Sequence, residues 1–455
     1  MSGPLASVIV PNRNGARVID RCLRQLRAQD HDPFEIIVVD DASTDDSIQV
    51  AERHLDGERL TIVRSERHRG LGAARNLGLR HASGRHVAYI DADGFAAPDW
   101  LRQGVTRLEN DPSLGAVASL VFFDGNRTVL NGAGGTMNRY GYGSDCGFNE
   151  PLEYARLPRE VVYPMGCGLI ARRDALERVG GFDPLFTNYY DDAELGLKLW
   201  AAGYRVELAQ DAWIDHGYGH STEGSPQKWL FCERHRIRTV LKHYPLRSLP
   251  TWLAREAASV AGLPSLERAR RRAAWSWNLA HLPSAALARA RSWPGAGRRP
   301  PYAWDSFPVA ACTELSRPDT EQAQSRLRLD GITDPGALIY GFYAPQSSEG
   351  RRFRWMTKHG ALLIRTPREA HRVALDYMVA LPSTQVAVEL RPLDDQECVW
   401  RGELTGTDKP LSWAHAELPA RLPPGTYVLA LSVSQAARSL DGAVLSMGLA
   451  SIQLT

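Results

Sequence analysis

The 455-residue sequence lacks an apolar run long enough to cross a membrane. Its longest nearly unbroken apolar run, Leu114–Phe123, has ten residues, whereas a spanning helix needs about 20. The N-terminal residues carry no basic segment and lead directly into a strand pattern, so we expect no signal peptide. The sequence therefore predicts a chain without a transmembrane helix.

The sequence also has no closely spaced pair of cysteines and few lysines. The six cysteines form no C-x-x-C pair, which argues against a zinc ribbon or a disulfide scaffold and favours a reducing cytoplasm. They are Cys22, Cys146, Cys167, Cys232, Cys312 and Cys398. Only five of the 54 basic residues are Lys, and the formal net charge is +2, so no nucleic-acid partner is predicted.

Apolar strands alternate with helices over residues 7 to about 93. The predicted strands are Ser7–Pro11, Glu35–Asp40, Leu60–Arg64 and His86–Asp91, with helices at Asp45–His54 and Leu71–His81 between them. This order is typical of a parallel sheet in an α/β domain with right-handed crossovers. Ligands of such sheets bind at the carboxyl ends of the strands.

The rest of the chain changes character twice. Residues 124–150 are glycine-rich and predict a long mobile loop. Residues 246–301 are rich in Arg and Trp and end in the linker-like WPGAGRRPP, and from 302 short period-two strands predict an antiparallel β-sandwich. The predicted domains are therefore 1–245, 246–301 and 302–455.

Carboxylates follow two of the predicted strands. Asp40 and Asp41 end the second strand, where they would either contact a nucleoside or cap the next helix. Asp91 and Asp93 follow the fourth strand in a D-x-D pattern, and their hard oxygen atoms suit Mg²⁺ or Mn²⁺ bound to a diphosphate.

Three further segments have two interpretations each. Arg69–Asn76 opens a helix with two glycines, either as a phosphate site or as an ordinary helix start. The Asp191–Asp192 pair either complements a helix dipole or supplies a general base. His216 and His220 either ligate metal or serve only as structural histidines.

Seven segments in order resemble family 2 glycosyltransferases of the GT-A fold over about residues 5–245. They are SVIVPNRN, VVDDASTDDS, RGLGAARNLGL, AYIDADG, GCGLIARR, GGFDPLF and YYDDAELGLKLWAAGYRV. The resemblance implies a GT-A domain of the Rossmann-like type, a nucleotide-diphosphate sugar donor, inversion at the anomeric carbon and a divalent cation.

The resemblance also implies roles for individual residues. It assigns nucleotide-sugar binding to Pro11, Asn12, Asp40, Asp41, Arg75, Asp91 and Asp93. It makes Asp192 the general base, Asp191 an acceptor-side residue, and Asp91, Asp93 and His216 the metal ligands. The family commonly has Glu at position 191, so the shorter Asp191 is a departure from the family pattern on the acceptor side.

The implied partners are a UDP- or dTDP-sugar and a glycan or lipid-linked acceptor, as in bacterial enzymes that extend surface polysaccharides. The alternative is a non-catalytic glycan-binding or scaffold protein derived from a transferase. A nucleotidyltransferase is disfavoured because the first loop, PNRNGAR, contains no lysine.

Each of the two C-terminal regions is open to two interpretations. Residues 252–293 either lie peripherally on a membrane surface or form a helical brace. In the predicted sandwich, Trp355, Trp400 and Trp413 either bind glycan or fill the core.

Overall fold

A computed structural model gives the fold of this chain. It describes residues 5–292, with gaps at 56–58, 138–139, 149–151, 153–154, 156, 218–225 and 263–264. It also describes residues 326–454, with gaps at 329–337, 349–350, 367–368, 393–397, 408, 410, 435–436, 439–443 and 446. The chain divides into a first unit, residues 1–148 and 155–304, and a second unit, residues 149–154 and 305–455.

The first unit is an α/β domain with a helical extension. Its strands are β1 (Ala6–Asn12), β2 (Phe34–Asp40), β3 (Leu60–Arg64), β4 (His86–Ile90), β5 (Gly94–Ala96), β6 (Leu114–Phe123), β7 (Asn126–Gly132), β8 (Gly135–Met137), β9 (Gly143–Asp145), β10 (Gly168–Arg172) and β11 (Arg205–His216). Its helices are α1 (Ile19–Arg27), α2 (Ser47–Glu52), α3 (Leu71–His81), α4 (Trp100–Asn110), α5 (Arg173–Arg178), α6 (Asp191–Ala201), α7 (Pro226–His243), α8 (Leu249–Gly262), α9 (Ser265–Ala280) and α10 (Leu282–Ser292), with a 3-10 turn at Leu246–Ser248.

The main sheet has the order β3-β2-β1-β4-β10-β6-β11-β5, and β7 pairs with β6. Strands β1 to β4 pair in parallel, and every residue of β1 and β4 is buried. Such strands need apolar side chains on both faces, which is why they appear as continuous Val/Ile runs. The predicted α/β fold is confirmed, and the parallel register brings Asn12 beside Asp40 at one edge of the sheet.

The prediction of a mobile loop over residues 124–150 is wrong for much of its length. The chain turns at Gly125, which has φ of 77°, and returns as β7 against β6. Strands β8 and β9 then pair with each other. Glycine has low strand propensity in general, so a glycine-rich stretch conceals strands that tertiary pairing stabilises.

Helices α7 to α9 pack against the domain, so the brace interpretation of residues 252–293 fits the inner face of this extension. Trp252 is buried, and its indole N–H donates to the carbonyl of Tyr140 at 3.1 Å. Arg236 on α7 pairs with Glu256 on α8 at 2.9 Å, and Arg271 on α9 pairs with the same carboxylate.

The second unit is built from antiparallel strands, as predicted. They are β12 (Arg326–Arg328), β13 (Leu338–Ser348), β14 (Arg351–Thr366), β15 (Ala370–Val379), β16 (Gln385–Pro392), β17 (Trp400–Thr405), β18 (Trp413–Leu422), β19 (Gly425–Val433), β20 (Ala437–Arg438), β21 (Val444–Leu445) and β22 (Met447–Leu454). Apart from the β20–β21 pair, the described strands form one sheet, with seven in the order β17-β16-β19-β14-β22-β15-β18.

This second sheet curls over one apolar core. Trp400 on β17 donates its indole N–H to the carbonyl of Pro419 on β18 at 3.0 Å, so the two end strands of the order meet. Trp400 packs against the core while remaining half-buried, and Trp413 is half-buried as well. Strand β22 lies near the middle of the sheet, between β14 and β15.

Among the described residues of both units, no helix is long and apolar enough to span a membrane.

Candidate functional site

The carboxyl ends of β1 and β2 carry a polar cluster. The buried Asn12 side chain donates to Ser47 Oγ at 3.0 Å and to Asp40 Oδ1 at 3.3 Å. The other oxygen of Asp40 accepts the Ser43 N–H at 3.3 Å. Pro11, one residue earlier, is buried within β1. These bonds fix the loop after β2 at the edge where ligands of a parallel sheet bind.

Asp41 holds the segment that leads into α3. Its carboxylate accepts the backbone N–H groups of Arg69 and Gly70, each at 2.8 Å. The next N–H group, that of Leu71, donates to the carbonyl of Thr187 at 2.9 Å. A Cβ on Gly70 would lie 2.7 Å from Thr187 Cα, so glycine allows this close approach. The start of α3 is therefore engaged with protein, which favours the ordinary helix start over the phosphate site.

Asp91, Asp93 and His216 converge on one point. One ligand atom from each lies within 4.8 Å of the others. Two elements bring them together: Asp91 and Asp93 follow β4, and β5 pairs with β11 so that His216 lies opposite Gly94. His216 Nε2 is 3.5 Å from Asp93 Oδ1. Two carboxylates and one imidazole form a donor set that fits Mn²⁺ or Mg²⁺.

The electrostatics of this cluster favour a cation. Burial and Asp93 raise the pKa of Asp91, although Arg75 acts in the opposite direction. Burial lowers the pKa of His216, but Asp93, Asp91 and Asp145 together raise it by more, so it lies above its ordinary value. A divalent cation would relieve the repulsion between the two carboxylates.

Asn131 orients the His216 ring through a contact with its Nδ1 atom. His216 Nδ1 lies 2.9 Å from Asn131 Oδ1, and Asn131 is almost completely buried on β7. An amide oxygen can only accept, so the bond places a proton on Nδ1 and leaves Nε2 to bind a cation when the imidazole is neutral.

Arg75 links the two halves of the site. Its guanidinium, only 1% exposed, donates through Nη2 to Asp91 at 2.9 Å and through Nη1 to Asp191. Burial lowers the pKa of Arg75, but Asp191 and Asp91 raise it by more, so the group stays charged. Arg75 therefore positions one carboxylate that follows β4 and another at the start of α6.

Gly166 connects Arg75 with the predicted base. Its carbonyl accepts from Arg75 Nη2 at 2.8 Å, and its N–H donates to Asp192 Oδ2 at 2.9 Å. Burial and the carboxylates of Asp191 and Asp145 raise the pKa of Asp192 to about 7. A carboxylate whose pKa lies near neutral pH is suited to accept a proton from a hydroxyl group.

The chain enters α6 through a strained turn. Tyr189 and Tyr190 have φ of 63° and 67°, a left-handed conformation that is unfavourable for bulky residues. Two contacts hold it: His235 Nδ1 lies 2.9 Å from the Tyr189 carbonyl, and the Gly143 N–H donates to Tyr190 Oη at 3.1 Å. The turn presents Asp191 and Asp192 at the start of α6.

The predicted site residues form two groups in the structure. Asp91, Asp93, His216, Arg75, Asp191 and Asp192 are joined by the contacts above, whereas Asn12, Asp40 and Asp41 bond chiefly to loops after β1, β2 and β3. His220 lies outside the described residues.

Sequence reasoning missed Asn131, Asp145 and Gly166. A glycine ahead of the apolar β10, in PMGCG, was the available signal for Gly166. A Cβ there would lie 2.6 Å from Arg75 Nη1. Asn131 and Asp145 lie in the segment interpreted as a loop, where nothing in the sequence marked them.

Residues 7–180 match the family model Glycosyl transferase family 2. Glycosyltransferase AglE of Haloferax volcanii is 28% identical over 211 residues, which cover 46% of this chain and 65% of that protein. An uncharacterised glycosyltransferase of Nostoc sp. is 30% identical over 203 residues, which cover 43% of this chain and 56% of that protein. The chain thus spans less than two thirds of the length of these curated relatives.

A solved structure of Staphylococcus aureus TarS residues 1–349 in complex with UDP is 20% identical. It covers 64% of this chain and 88% of that chain, with a TM-score of 0.41.

Proposed function

Because residues 7–180 match the family model Glycosyl transferase family 2, we propose that the chain moves a sugar from a nucleotide-diphosphate donor to an acceptor hydroxyl with inversion. The observation that carries this proposal is the Asp91–Arg75–Asp191 link, continued through Gly166 to Asp192. This chain of hydrogen bonds connects Asp192, whose pKa is about 7, with Asp91 of the potential cation site, which supports the proposal.

Asp192 is the general base of the proposed reaction. The acceptor oxygen attacks the anomeric carbon opposite the departing diphosphate, and its proton passes to Asp192. The Gly166 N–H and the start of α6 hold the carboxylate in place. Such a base contributes about 10²–10⁴-fold to the rate.

Asp91, Asp93 and His216 would hold the divalent cation, Mg²⁺ or Mn²⁺, that accompanies the donor. When bound, the cation would take up negative charge that develops on the departing diphosphate. Pro11, Asn12, Asp40 and Asp41 would border the nucleoside. For Asp41 this role requires the ligand to approach a carboxylate that already binds the Arg69 and Gly70 backbone.

The proposed donor is a UDP- or dTDP-sugar, and the proposed acceptor is a glycan or a lipid-linked glycan. Asp191 would lie on the acceptor side, although its carboxylate is committed to Arg75. The proposed compartment is the cytoplasm, where thiols such as those of the buried Cys22 and Cys167 stay reduced. The second unit would bind glycan or tether the acceptor.

The experiment that tests the proposal measures nucleotide release from UDP-, dTDP- and GDP-sugars with Mn²⁺ and with EDTA. We expect release from at least one donor, and we expect Asp93→Asn and EDTA each to abolish it. The matched control is Asp99→Asn, which changes a carboxylate just ahead of α4. Full activity in EDTA would exclude the cation role. Donor binding without turnover, for any acceptor, would favour the alternative of a non-catalytic glycan-binding protein.

A further inference from the structure

The helical extension carries an unusual concentration of exposed leucines. Five of the nine large hydrophobic side chains that are exposed among the described residues lie between 246 and 287, each 43–68% exposed. They are Leu246, Leu253, Leu279, Leu282 and Leu287, and together we call them the leucine face. Isolated exposed leucines are ordinary, but a contiguous group marks a surface that meets an apolar partner.

Four of these leucines lie at one end of the α8–α9 hairpin. The rings of Trp252 on α8 and Trp275 on α9 are 5.8 Å apart, so the start of α8 lies beside the end of α9. Leu253 directly follows Trp252, and Leu279 lies one helical turn beyond Trp275. Leu246 precedes α8, and Leu282 begins α10. The exposed side chains therefore gather where the helices begin and end.

The charged residues of the helical extension are mostly of one sign, positive. Residues 246–292 contain eight Arg and two Glu. One of the two, Glu256, is buried between Arg236 and Arg271. Arg247 and Arg272 are exposed. Apolar side chains flanked by arginine are the combination that binds an anionic lipid surface, because insertion of leucine and attraction of arginine to headgroups act together.

We infer that the leucine face binds the surface of an anionic lipid bilayer. The inference goes beyond the proposed function, since lipid binding requires neither a donor nor a metal. The inner side of the same helices contacts Tyr140 and Tyr142. The adjacent Gly143 bonds to Tyr190 at the start of α6. A bilayer on the leucine face would therefore be connected through these contacts to the turn that precedes Asp191 and Asp192.

The test is co-sedimentation of the full chain with vesicles of phosphatidylcholine alone and of phosphatidylcholine mixed with phosphatidylglycerol. We expect binding to the mixed vesicles that weakens as salt is raised. The double variant Leu279→Ser, Leu282→Ser should lower the partition coefficient at least about tenfold. Arg272→Glu should lower it about fivefold or more.

Matched controls lie elsewhere on the first unit. Leu55→Ser and Arg53→Glu change exposed residues just after α2 and should leave binding unchanged. Nucleotide release and thermal stability of all variants should stay near wild type, which separates this inference from the proposed function. No binding to the mixed vesicles, or equal binding by the leucine double variant, would overturn the inference. The inference would also be overturned if the leucine double variant dissociated a dimer without changing vesicle binding, because a second copy of the chain would then be the occupant.

Discussion

Asp192 Oδ2 accepts a hydrogen bond from the Gly166 backbone N–H at 2.9 Å. The predicted base is therefore positioned by a residue that also bonds to Arg75. Its second oxygen accepts the N–H of Ala193 at 2.7 Å, within the first turn of α6. The carboxylate is thus both part of a helix start and a candidate base, and substitution separates the two roles.

Asp192→Asn keeps one of the two oxygens that accept the Gly166 and Ala193 N–H groups and removes the basic carboxylate. We expect kcat to fall at least about 10²-fold while the donor KM stays near wild type. Steady-state kinetics with saturating acceptor measures both constants. Asp174→Asn, in the first turn of α5, is the matched control and should leave kcat and the donor KM unchanged. Loss of donor binding in Asp192→Asn would mean that its role is structural.

The raised pKa of Asp192 gives the reaction a defined pH dependence. The base works only when deprotonated, so kcat/KM should rise about tenfold per pH unit below a pKa of about 7 and level off above it. Asp145→Asn removes a like charge but retains an oxygen for the 3.0 Å bond from Tyr163 Oη. That variant should move the acidic limb to lower pH. A limb that does not move would exclude Asp145 as a cause.

Asn131 should control the metal affinity of His216. Asn131→Leu removes the acceptor for Nδ1, and the dissociation constant for Mn²⁺ should rise about 10–100-fold, as for other partners of metal-binding histidines. Asn131→Asp retains an acceptor oxygen and should bind Mn²⁺ at least as well as wild type. Electron paramagnetic resonance titration of free Mn²⁺ measures this without turnover. Equal affinities in all three proteins would contradict the assignment.

Arg75 should be a determinant of stability as well as of activity. Arg75→Met removes the guanidinium group that the Asp91 and Asp191 carboxylates share. The free energy of unfolding should therefore fall by about 3–5 kcal/mol. Guanidinium denaturation of the purified chain measures it. Arg80→Met, on the exposed side of the same helix, should change it by less than about 0.5 kcal/mol. Equal losses in both variants would refute a special role for Arg75.

The second unit should be dispensable for the chemistry. A chain that ends at Pro300 retains every site residue described above, so it should release nucleotide from the donor at a rate near that of the full chain, with a weaker acceptor KM. Circular dichroism confirms folding before the kinetics are compared. A folded truncated chain that no longer binds donor would show that the second unit completes the site.

The local part of this architecture was predictable from sequence, and the long-range part was not. Strand β3 and helix α3 have the bounds that periodicity predicts, because their burial pattern repeats within a few residues. The Arg75 contacts to Gly166 and Asp191 join residues 91 and 116 positions apart. They depend on the packing of α3, β10 and α6, which no local pattern encodes. Strands β7 to β9 were hidden for a related reason: they form by pairing, in a stretch whose glycines disfavour strands.

The position of β22 has a consequence for the order in which the two units form during synthesis. Residues 447–454 fill the gap between β14 and β15, so the sheet of the second unit is divided until they have been made. The first unit has all its strands by His216 and its described helices by Ser292. Domains fold in general as units, the N-terminal one first on the ribosome. The site of the first unit can therefore assemble while the second unit is still an incomplete set of strands with open edges.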